Sequence, residues 1–158
     1  MTIKRYALLL TMALALMVGF GCSKSSDVAE QTTTSQITPE MQAAMDTITN
    51  DKIYFAFDRY DISLDSQEIL KQKANALRTY PSIIVQIQGN CDERGTQEYN
   101  LALGERRARA AYEYLLRLGV PANQMQMISY GKERPAVTGT GEAVWAQNRR
   151  DEFVIIGY

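Results

Sequence analysis

Apolar residues recur along the chain at two alternating spacings, one typical of β-strands and the other of α-helices. Residues 53–57 (IYFAF) form a compact aromatic and branched run, and residues 83–88 (IIVQIQ) place Ile83, Val85 and Ile87 on one face, as a strand does. The pattern predicts these elements: strands at 53–57, 83–88, 125–130 and 153–158, helices at 65–80 and 96–118, and a short helix around 142–148. The order βαβαβ(α)β predicts an α/β (α+β) fold with helices packed on a mixed four-stranded sheet, including a parallel pair of strands joined by a crossover.

One cation falls inside the apolar stripe of the longest predicted helix. Thr96 is a suitable N-cap for this helix, Glu98 lies in its first turn, and Arg107 stands among the apolar residues of its inward face. An unpaired guanidinium is costly to bury and cannot lose its proton, so an acidic partner is expected. The loop just upstream offers Asp92 and Glu93 for a structural ion pair, and the other candidate is a carboxylate of a bound ligand.

A positively charged start precedes an apolar run at the beginning of the chain. Lys4 and Arg5 are followed by the mostly apolar residues 6–20. This run is shorter than the roughly 20 residues that a permanent membrane helix needs, which predicts a cleaved export signal. Cys22 follows closely, and the junction resembles the lipobox of bacterial lipoproteins, in which the signal is removed and the cysteine carries a lipid. We expect residues 1–21 to be a lipoprotein signal peptide; the alternative is an ordinary signal cut elsewhere, with the cysteine incidental.

The segment behind the cysteine has the composition of a linker. Residues 22–50 are rich in Ser, Thr and Gln and are expected to form a flexible tether behind the lipid. Thr38 and Pro39 are expected to begin a short helix that continues through Ile48. Residues 51–158 are enough for one domain with a single hydrophobic core, so the folded domain is predicted to begin near residue 51.

Composition excludes several classes of function. The chain has no histidine, which rules out Ser-His and Cys-His nucleophile pairs and histidine-ligated zinc sites. The chain has 17 basic and 18 acidic residues, and removal of the predicted signal with Lys4 and Arg5 leaves 15 basic and 18 acidic residues. The mature protein is therefore mildly acidic, and no broad electrostatic contact with nucleic acid is expected. Lipidation of Cys22 would leave Cys91 as the remaining cysteine. A metal site built from Asp58, Asp61, Asp92 and Glu93 is a less favoured alternative, because no loop has the spacing of a calcium site. No cofactor is expected.

Four blocks of sequence, in order along the predicted domain, resemble a known family. The central block is residues 89–108 (GNCDERGTQEYNLALGERRA), and the others are residues 55–62 (FAFDRYDI), 129–137 (SYGKERPAV) and 148–150 (NRR). Together they resemble the OmpA-like peptidoglycan-binding domain family, and in particular its Pal branch, the peptidoglycan-associated lipoproteins. The resemblance covers nearly the whole predicted domain.

The resemblance implies non-catalytic binding to the peptide stem of peptidoglycan, through the free end of its diaminopimelate residue. In the family, an aspartate at the position of Asp92 receives the ligand's ammonium, and an arginine at the position of Arg107 takes its carboxylate with two parallel hydrogen bonds. The same pocket is expected to be lined by Asp58, Thr96, Asn100 and Arg149. Arg94 is a further candidate for a contact in this pocket, but an exposed loop arginine is more often a solvated surface charge, and that alternative is favoured. Asp151, where an apolar residue is common, is expected to loosen the start of the last strand.

The resemblance also implies a place in the cell envelope. A lipid on Cys22 would anchor the protein in the outer membrane, facing the periplasm, where it would contact TolB and other Tol proteins during cell division. The nearest alternative is a wall-binding lipoprotein of another envelope machine. A wall hydrolase with Asp92 and Glu93 as paired carboxylates is less favoured, because adjacent side chains on an extended loop point apart, whereas glycosidase carboxyls face each other at about 5 to 9 Å.

Overall fold

The computed structural model describes residues 37–158, so the predicted signal peptide, Cys22 and the first part of the predicted tether lie outside the described residues. Within residues 37–158 there are four strands and four α-helices, with one 3-10 turn before the third strand. In chain order the elements are α1 (Pro39–Thr49), β1 (Ile53–Tyr54), α2 (Leu64–Thr79), β2 (Ile84–Asn90), α3 (Gln97–Arg117), β3 (Met125–Gly131), α4 (Glu142–Asn148) and β4 (Arg150–Gly157). No helix in this part of the chain is long and apolar enough to span a bilayer.

The strands form one mixed sheet in the order β1-β4-β2-β3. β2 is parallel to β3 and antiparallel to β4, while β1 pairs with β4 in the antiparallel sense. α3 lies between the two parallel strands in sequence and is the crossover that such a pair requires. The predicted fold of helices on a mixed four-stranded sheet is therefore confirmed.

Two strands have different ends from those predicted. β1 is confined to two residues, because the chain then leaves the sheet and turns at Asp58, whose backbone is in the left-handed region with φ 55°. β4 begins at Arg150, before the predicted start at residue 153, because Asp151 pairs with Ile53 on one side and with Gly89 on the other. The start of the last strand is thus held from both sides, and the expected loosening at Asp151 is wrong.

The core lies between the helices and one face of the sheet. Ile83, Val85 and Ile87 alternate inward as predicted and are fully buried. α2 and α3 cover them with apolar residues spaced three or four apart, all buried: Leu70, Ala74, Leu77, Ala108, Ala111 and Leu115. The alternating residues of β2 and the helix residues spaced three or four apart therefore form the two sides of one core.

α1 belongs to this folded unit and not to the tether. Met45 and Ile48 are buried in the same core, where the helix packs against α2 and β4. The buried ammonium of Lys73 donates to the backbone oxygens of Ile48 (2.6 Å) and Thr47 (3.2 Å), which the end of α1 leaves without helical partners. The folded unit therefore begins before α1, and the predicted start near residue 51 is corrected. Composition marked this segment as polar, but its few large apolar residues meet on one helix face.

α3 approaches β2 through a contact between two glycines. A Cβ atom on Gly89 would overlap the backbone carbonyl of Gly104, and one on Gly104 would overlap the hydroxyl of Ser129 on β3. Backbone therefore meets backbone at this point, which a larger residue would prevent. Arg107 lies about one helical turn beyond Gly104, so the contact places its guanidinium beside the carboxyl-terminal end of β2.

Candidate ligand-binding site

A cavity of about 220 Å³ opens where β2 ends, between the loop that follows β1 and the loop that leads into α3. Its wall is formed by Phe57, Asp58, Cys91, Asp92, Arg94, Gly95, Tyr99, Asn100, Leu103 and Arg107. Four of the six residues predicted to bind a ligand are therefore in the wall. The other two, Thr96 and Arg149, lie nearby but do not line the cavity.

Arg107 is fully buried, and its guanidinium binds backbone oxygens in place of an acid. Nε donates to the carbonyl oxygen of Arg59 (2.9 Å), and Nη2 donates to that of Ala56 (3.2 Å). Nη1 donates to the carbonyl oxygen of Asn90 (2.9 Å) and to the sulfur of Cys91 (3.4 Å). No carboxylate of residues 37–158 lies within ion-pair distance of this guanidinium. The predicted structural ion pair with an acid of the upstream loop is therefore wrong, because carbonyl oxygens satisfy the cation in its place.

These bonds make Arg107 a clamp between two parts of the cavity wall. Two of its carbonyl partners belong to the loop after β1, whereas that of Asn90 ends β2, so one side chain joins the two. Burial lowers the pKa of Arg107, but an arginine stays charged at any physiological pH. Asp58 gives the loop after β1 a second attachment, because its carboxylate accepts a hydrogen bond from the hydroxyl of Tyr99 on α3.

Asp92 carries a negative charge in the cavity wall and is almost fully buried. Its Oδ1 accepts from the backbone N–H (3.2 Å) and Nε (3.1 Å) of Arg94, and its Oδ2 accepts from Nη2 of Arg94 (2.6 Å) and Nη1 of Arg149 (3.2 Å). Burial alone would raise the pKa of Asp92, but the hydrogen bonds from Arg94 and then Arg149 outweigh it and hold the pKa below its ordinary value. The carboxylate is therefore ionised at neutral pH.

Arg149 supports Asp92 from behind the cavity. It lies between α4 and β4, where its Nε donates to the carbonyl oxygen of Phe55 (3.0 Å) and its Nη2 pairs with Glu142. Together with the bond to Asp92, these contacts use both edges of the guanidinium. Arg149 therefore orients a wall residue, whereas the resemblance placed it in the wall itself.

Thr96 and Asn100 hold the loop that leads into α3. The hydroxyl of Thr96 caps this helix by accepting from the N–H of Tyr99 (3.2 Å), which confirms the predicted cap. The side-chain amide of Asn100 is buried and donates to the carbonyl oxygens of Arg94 (2.8 Å) and Thr96 (2.9 Å). Both side chains are thus engaged in fixing the loop beside Asp92.

Arg94 lies in the cavity wall, where the sequence analysis favoured a surface charge over a contact. Its guanidinium lies between two aromatic rings, with Cζ 3.9 Å from the ring centre of Phe57 and 4.0 Å from that of Trp145. The side chain is 29% exposed and is bonded to Asp92, so the expectation of a solvated surface charge is wrong. The three stacked residues come from separate segments of the chain, and no spacing in the sequence indicates that they meet.

Glu93 has different partners from its neighbour Asp92. Its carboxylate accepts from the indole N–H of Trp145 (2.9 Å), while Lys132 donates to the backbone oxygens of Glu93 (3.3 Å) and Gly95 (2.7 Å). Glu93 does not line the cavity, so the two carboxylates do not face each other across it. Within residues 37–158, no group of three or more acidic or cysteine side chains is arranged to hold a metal ion.

Two further buried groups lie close to Arg107. The thiol of Cys91 is buried in contact with the guanidinium, and burial raises the pKa of Cys91 to about 11. Asp151 on β4 is fully buried, and neither of its carboxyl oxygens has a hydrogen-bond partner among residues 37–158. Burial raises the pKa of Asp151 well above its ordinary value, so it takes up a proton more readily than an exposed aspartate.

The fold and the cavity define a small α/β domain whose polar site is built by loops at one end of a central strand. Comparison with models of protein families matches residues 54–149 to the OmpA family, and the chain belongs to this family. The matched segment contains every residue of the cavity wall, together with Arg149. The family predicted from four sequence blocks is therefore confirmed.

Individual relatives support the same assignment. A peptidoglycan-associated lipoprotein of Rhizobium meliloti is 40% identical over 156 residues, covering 96% of this chain and 86% of the relative. The crystal structure of the peptidoglycan-associated lipoprotein from Burkholderia pseudomallei is 49% identical, with a TM-score of 0.65 over 66% of this chain and 88% of that one. The C-terminal domain of Helicobacter pylori MotB, at 21% identity, has a TM-score of 0.62 over 66% of this chain and 83% of that one, which shows a shared fold. The predicted resemblance to the Pal branch is confirmed by the first two.

Proposed function

We propose that this chain is a lipoprotein that binds peptidoglycan non-covalently and without catalysis. The main observation behind the proposal is the negative charge of Asp92, which two arginines keep ionised in the wall of a small cavity. Relatives that align with most of the chain bear the name peptidoglycan-associated lipoprotein, which supports the same ligand. The different partners of Asp92 and Glu93 support a binding role over hydrolysis, because glycosidase carboxyls must face each other across the bond that they cleave.

The cavity fits the end of a ligand better than a whole one. At about 220 Å³ it is smaller than the roughly 300–1,000 Å³ of sites that enclose entire small molecules. Its wall contains two carboxylates, Asp58 and Asp92, and two guanidinium groups, Arg94 and Arg107. A group that carries both an ammonium and a carboxylate complements such a wall. The proposed ligand is therefore the free end of diaminopimelate in the stem peptide.

The six residues predicted from the resemblance remain in the proposal, with roles that follow from their contacts. Asp92 and Asp58 provide the negative charge that attracts the ligand's ammonium. Arg107 joins the loops that form the wall. The residues that hold these groups in place are Thr96, Asn100 and Arg149.

The proposed location is the outer membrane, with the protein anchored by a lipid on Cys22 and the folded domain facing the periplasm. This part of the proposal is supported by the lipobox-like junction at Cys22 and by the lipoprotein names of the relatives. In a Tol-Pal system the protein would contact TolB and other Tol proteins and couple the outer membrane to the wall during division. Mass spectrometry of the purified protein tests the anchor: an acylated Cys22 at the mature N-terminus is expected, and an unmodified cysteine would refute it.

Wall binding is tested by sedimentation of the purified full-length protein, in detergent, with isolated sacculi. The protein is expected in the pellet, and free diaminopimelate is expected to release it. Asp92→Asn, which keeps the shape but removes the charge, should weaken binding by at least about tenfold, whereas Arg106→Ala on the exposed face of α3 should not. Wild-type protein that stays in the supernatant would disprove wall binding, and pelleting that free diaminopimelate does not affect would disprove the stem-peptide contact.

A further inference from the structure

Asp151 is a carboxylic acid in the core, on the side of the sheet that faces α3. Residues that lie directly opposite each other on neighbouring strands direct their side chains to the same face. Asp151 lies opposite the fully buried Ile53 on one side and opposite Gly89 on the other, and a Cβ atom on Gly89 would meet Gly104 of α3. The carboxyl group is therefore covered by α3, close to the turn of that helix that carries Arg107.

Asp151 and Arg107 influence each other without forming an ion pair. The guanidinium of Arg107 donates to backbone oxygens and to a thiol, and neither carboxyl oxygen of Asp151 has a hydrogen-bond partner among residues 37–158. Opposite charges that are not in contact still attract each other strongly in a buried region, where water does not screen them. A negative charge on Asp151 therefore offsets part of the positive charge that Arg107 contributes to the cavity wall.

The other ionisable groups around Asp151 are engaged elsewhere. Arg150, its neighbour on β4, is bound to a glutamate of the same strand and to backbone oxygens. From α2, Lys73 donates to the end of α1, and Cys91 in the loop after β2 keeps its proton at neutral pH, because burial raises its pKa to about 11. Burial of Asp151 outweighs the attraction of Arg107 and Arg150 and raises the pKa of this carboxyl group well above 3.8.

Near neutral pH, the group beside the cavity that can gain or lose a proton is Asp151. The chain has no histidine, the residue that ordinarily titrates between pH 5 and 8. Asp92 in the cavity wall is already ionised, because its pKa lies below the ordinary value, and Arg107 stays charged. Among residues 37–158, burial also moves the pKa of Lys73 down to about 8, but Lys73 is on α2 and does not line the cavity.

We propose that Asp151 is a proton switch for the cavity: in its protonated form it leaves the full charge of Arg107 to attract the ligand's carboxylate, and in its ionised form it weakens that attraction. The inference rests on the proposed function, because the carboxylate is that of diaminopimelate. Asp151 acts through Arg107 and does not touch the ligand. Like charges about 8 to 10 Å apart, at an effective dielectric constant near 20, shift an equilibrium by more than about tenfold. Binding should therefore be accompanied by proton uptake, and affinity should fall as the pH rises.

The test is calorimetric titration of a stem peptide containing diaminopimelate into the full-length protein, in detergent, from pH 5 to pH 9. Asp151→Asn has the shape of the protonated acid and cannot ionise. The ratio of the Kd of wild type to that of Asp151→Asn cancels the titration of the ligand and of all groups that the two proteins share. This ratio should be near one at pH 5 and should rise at least about fivefold by pH 9. Asp65→Asn, at an exposed aspartate of α2, is the matched control and should follow wild type at every pH.

A ratio that stays constant with pH would overturn the proposal. Titrations in two buffers of different ionisation enthalpy, at the midpoint of the change, should show proton uptake by wild type beyond that by Asp151→Asn, and equal uptake would also overturn it. If the proposed function itself is wrong, wild type binds the peptide at no pH.

Thermal unfolding tests the same carboxyl group without ligand. Because the pKa of Asp151 is raised in the folded state, its contribution to stability is fully present below the unfolded value of about 3.9 and is lost as the pH rises through the raised value. The Tm of wild type relative to Asp151→Asn should therefore fall by at least about 4 °C between pH 4 and pH 9, and parallel Tm curves would overturn the proposal. If Asp151→Asn does not unfold cooperatively, Asp151→Ala replaces it with the same expected results, since alanine cannot ionise either.

Discussion

Replacing Arg107 by methionine tests whether this side chain holds the cavity together. Methionine is unbranched and fills much of the same buried volume, so the change removes the charge and the N–H donors while leaving little empty space. The carbonyl oxygens of Ala56, Arg59 and Asn90 then lose their partner within the protein. We expect the fold itself to be weakened, whereas the family resemblance implied a residue concerned with the ligand.

The expected loss of folding stability follows from the hydrogen bonds that Arg107→Met removes. A hydrogen bond from a charged donor contributes roughly 1.5–3 kcal/mol, and a buried polar group without a partner costs about 1–3 kcal/mol. Three carbonyls are affected, but removal of the guanidinium also recovers several kcal/mol of desolvation. The net loss should therefore resemble that of other broken buried charge contacts, about 3–5 kcal/mol. For a domain of this size, such a loss lowers Tm by roughly 10–20 °C.

Thermal unfolding followed by circular dichroism measures the effect on wild type, Arg107→Met and Arg106→Ala. Arg106 is the adjacent arginine on α3 and is exposed, so its replacement controls for net charge and for a substitution in the same helix turn. The control is expected to shift Tm by no more than about 2 °C. A Tm for Arg107→Met equal to that of the control would refute the conclusion that Arg107 holds the cavity wall together.

Two further predictions concern α1. Burial lowers the pKa of Lys73 from 10.5 to about 8, so the unfolded state binds more protons between these values. Wild type should therefore gain about 2–3 kcal/mol of stability relative to Lys73→Met as the pH rises from about 8 to about 10; parallel stability curves would contradict this. A fragment of residues 51–158 lacks the contacts of Met45 and Ile48, so its free energy of unfolding in urea should be several kcal/mol below that of residues 37–158. Equal stability of the two fragments would show that α1 is dispensable.

Sequence patterns predict structure in this chain where one segment determines its own conformation. The apolar repeat and the cap at Thr96 locate α3 correctly, and the alternation of Ile83, Val85 and Ile87 identifies the inward face of the sheet at β2. Patterns fail where distant segments decide the outcome. β1 is short because the chain turns at Asp58, and α1 is stable in its place because α2 and β4 present an apolar surface to it. Neither cause is visible in the local sequence.

The same limit explains which parts of the site were predictable. Helix periodicity places Arg107 in a buried stripe, and the motif resemblance brings Asp92 to the same cavity. The partners of Arg107 could not be predicted, because they are backbone carbonyls and every residue has one. Arg94 could not be distinguished from a surface charge, because Phe57 and Trp145 reach it only after three segments have folded together.

The glycine contact between α3 and β2 divides the site into a constant part and an adaptable part. Because Gly89 and Gly104 meet through their backbones, main-chain geometry sets the distance of Arg107 from the end of the strand, whatever side chains fill the core. Phe57 and Arg94 lie in loops, where no such contact restricts the residue type. A domain built in this way can exchange the loop residues of the cavity wall, and so acquire a new specificity, while the buried cation that joins those loops stays in place.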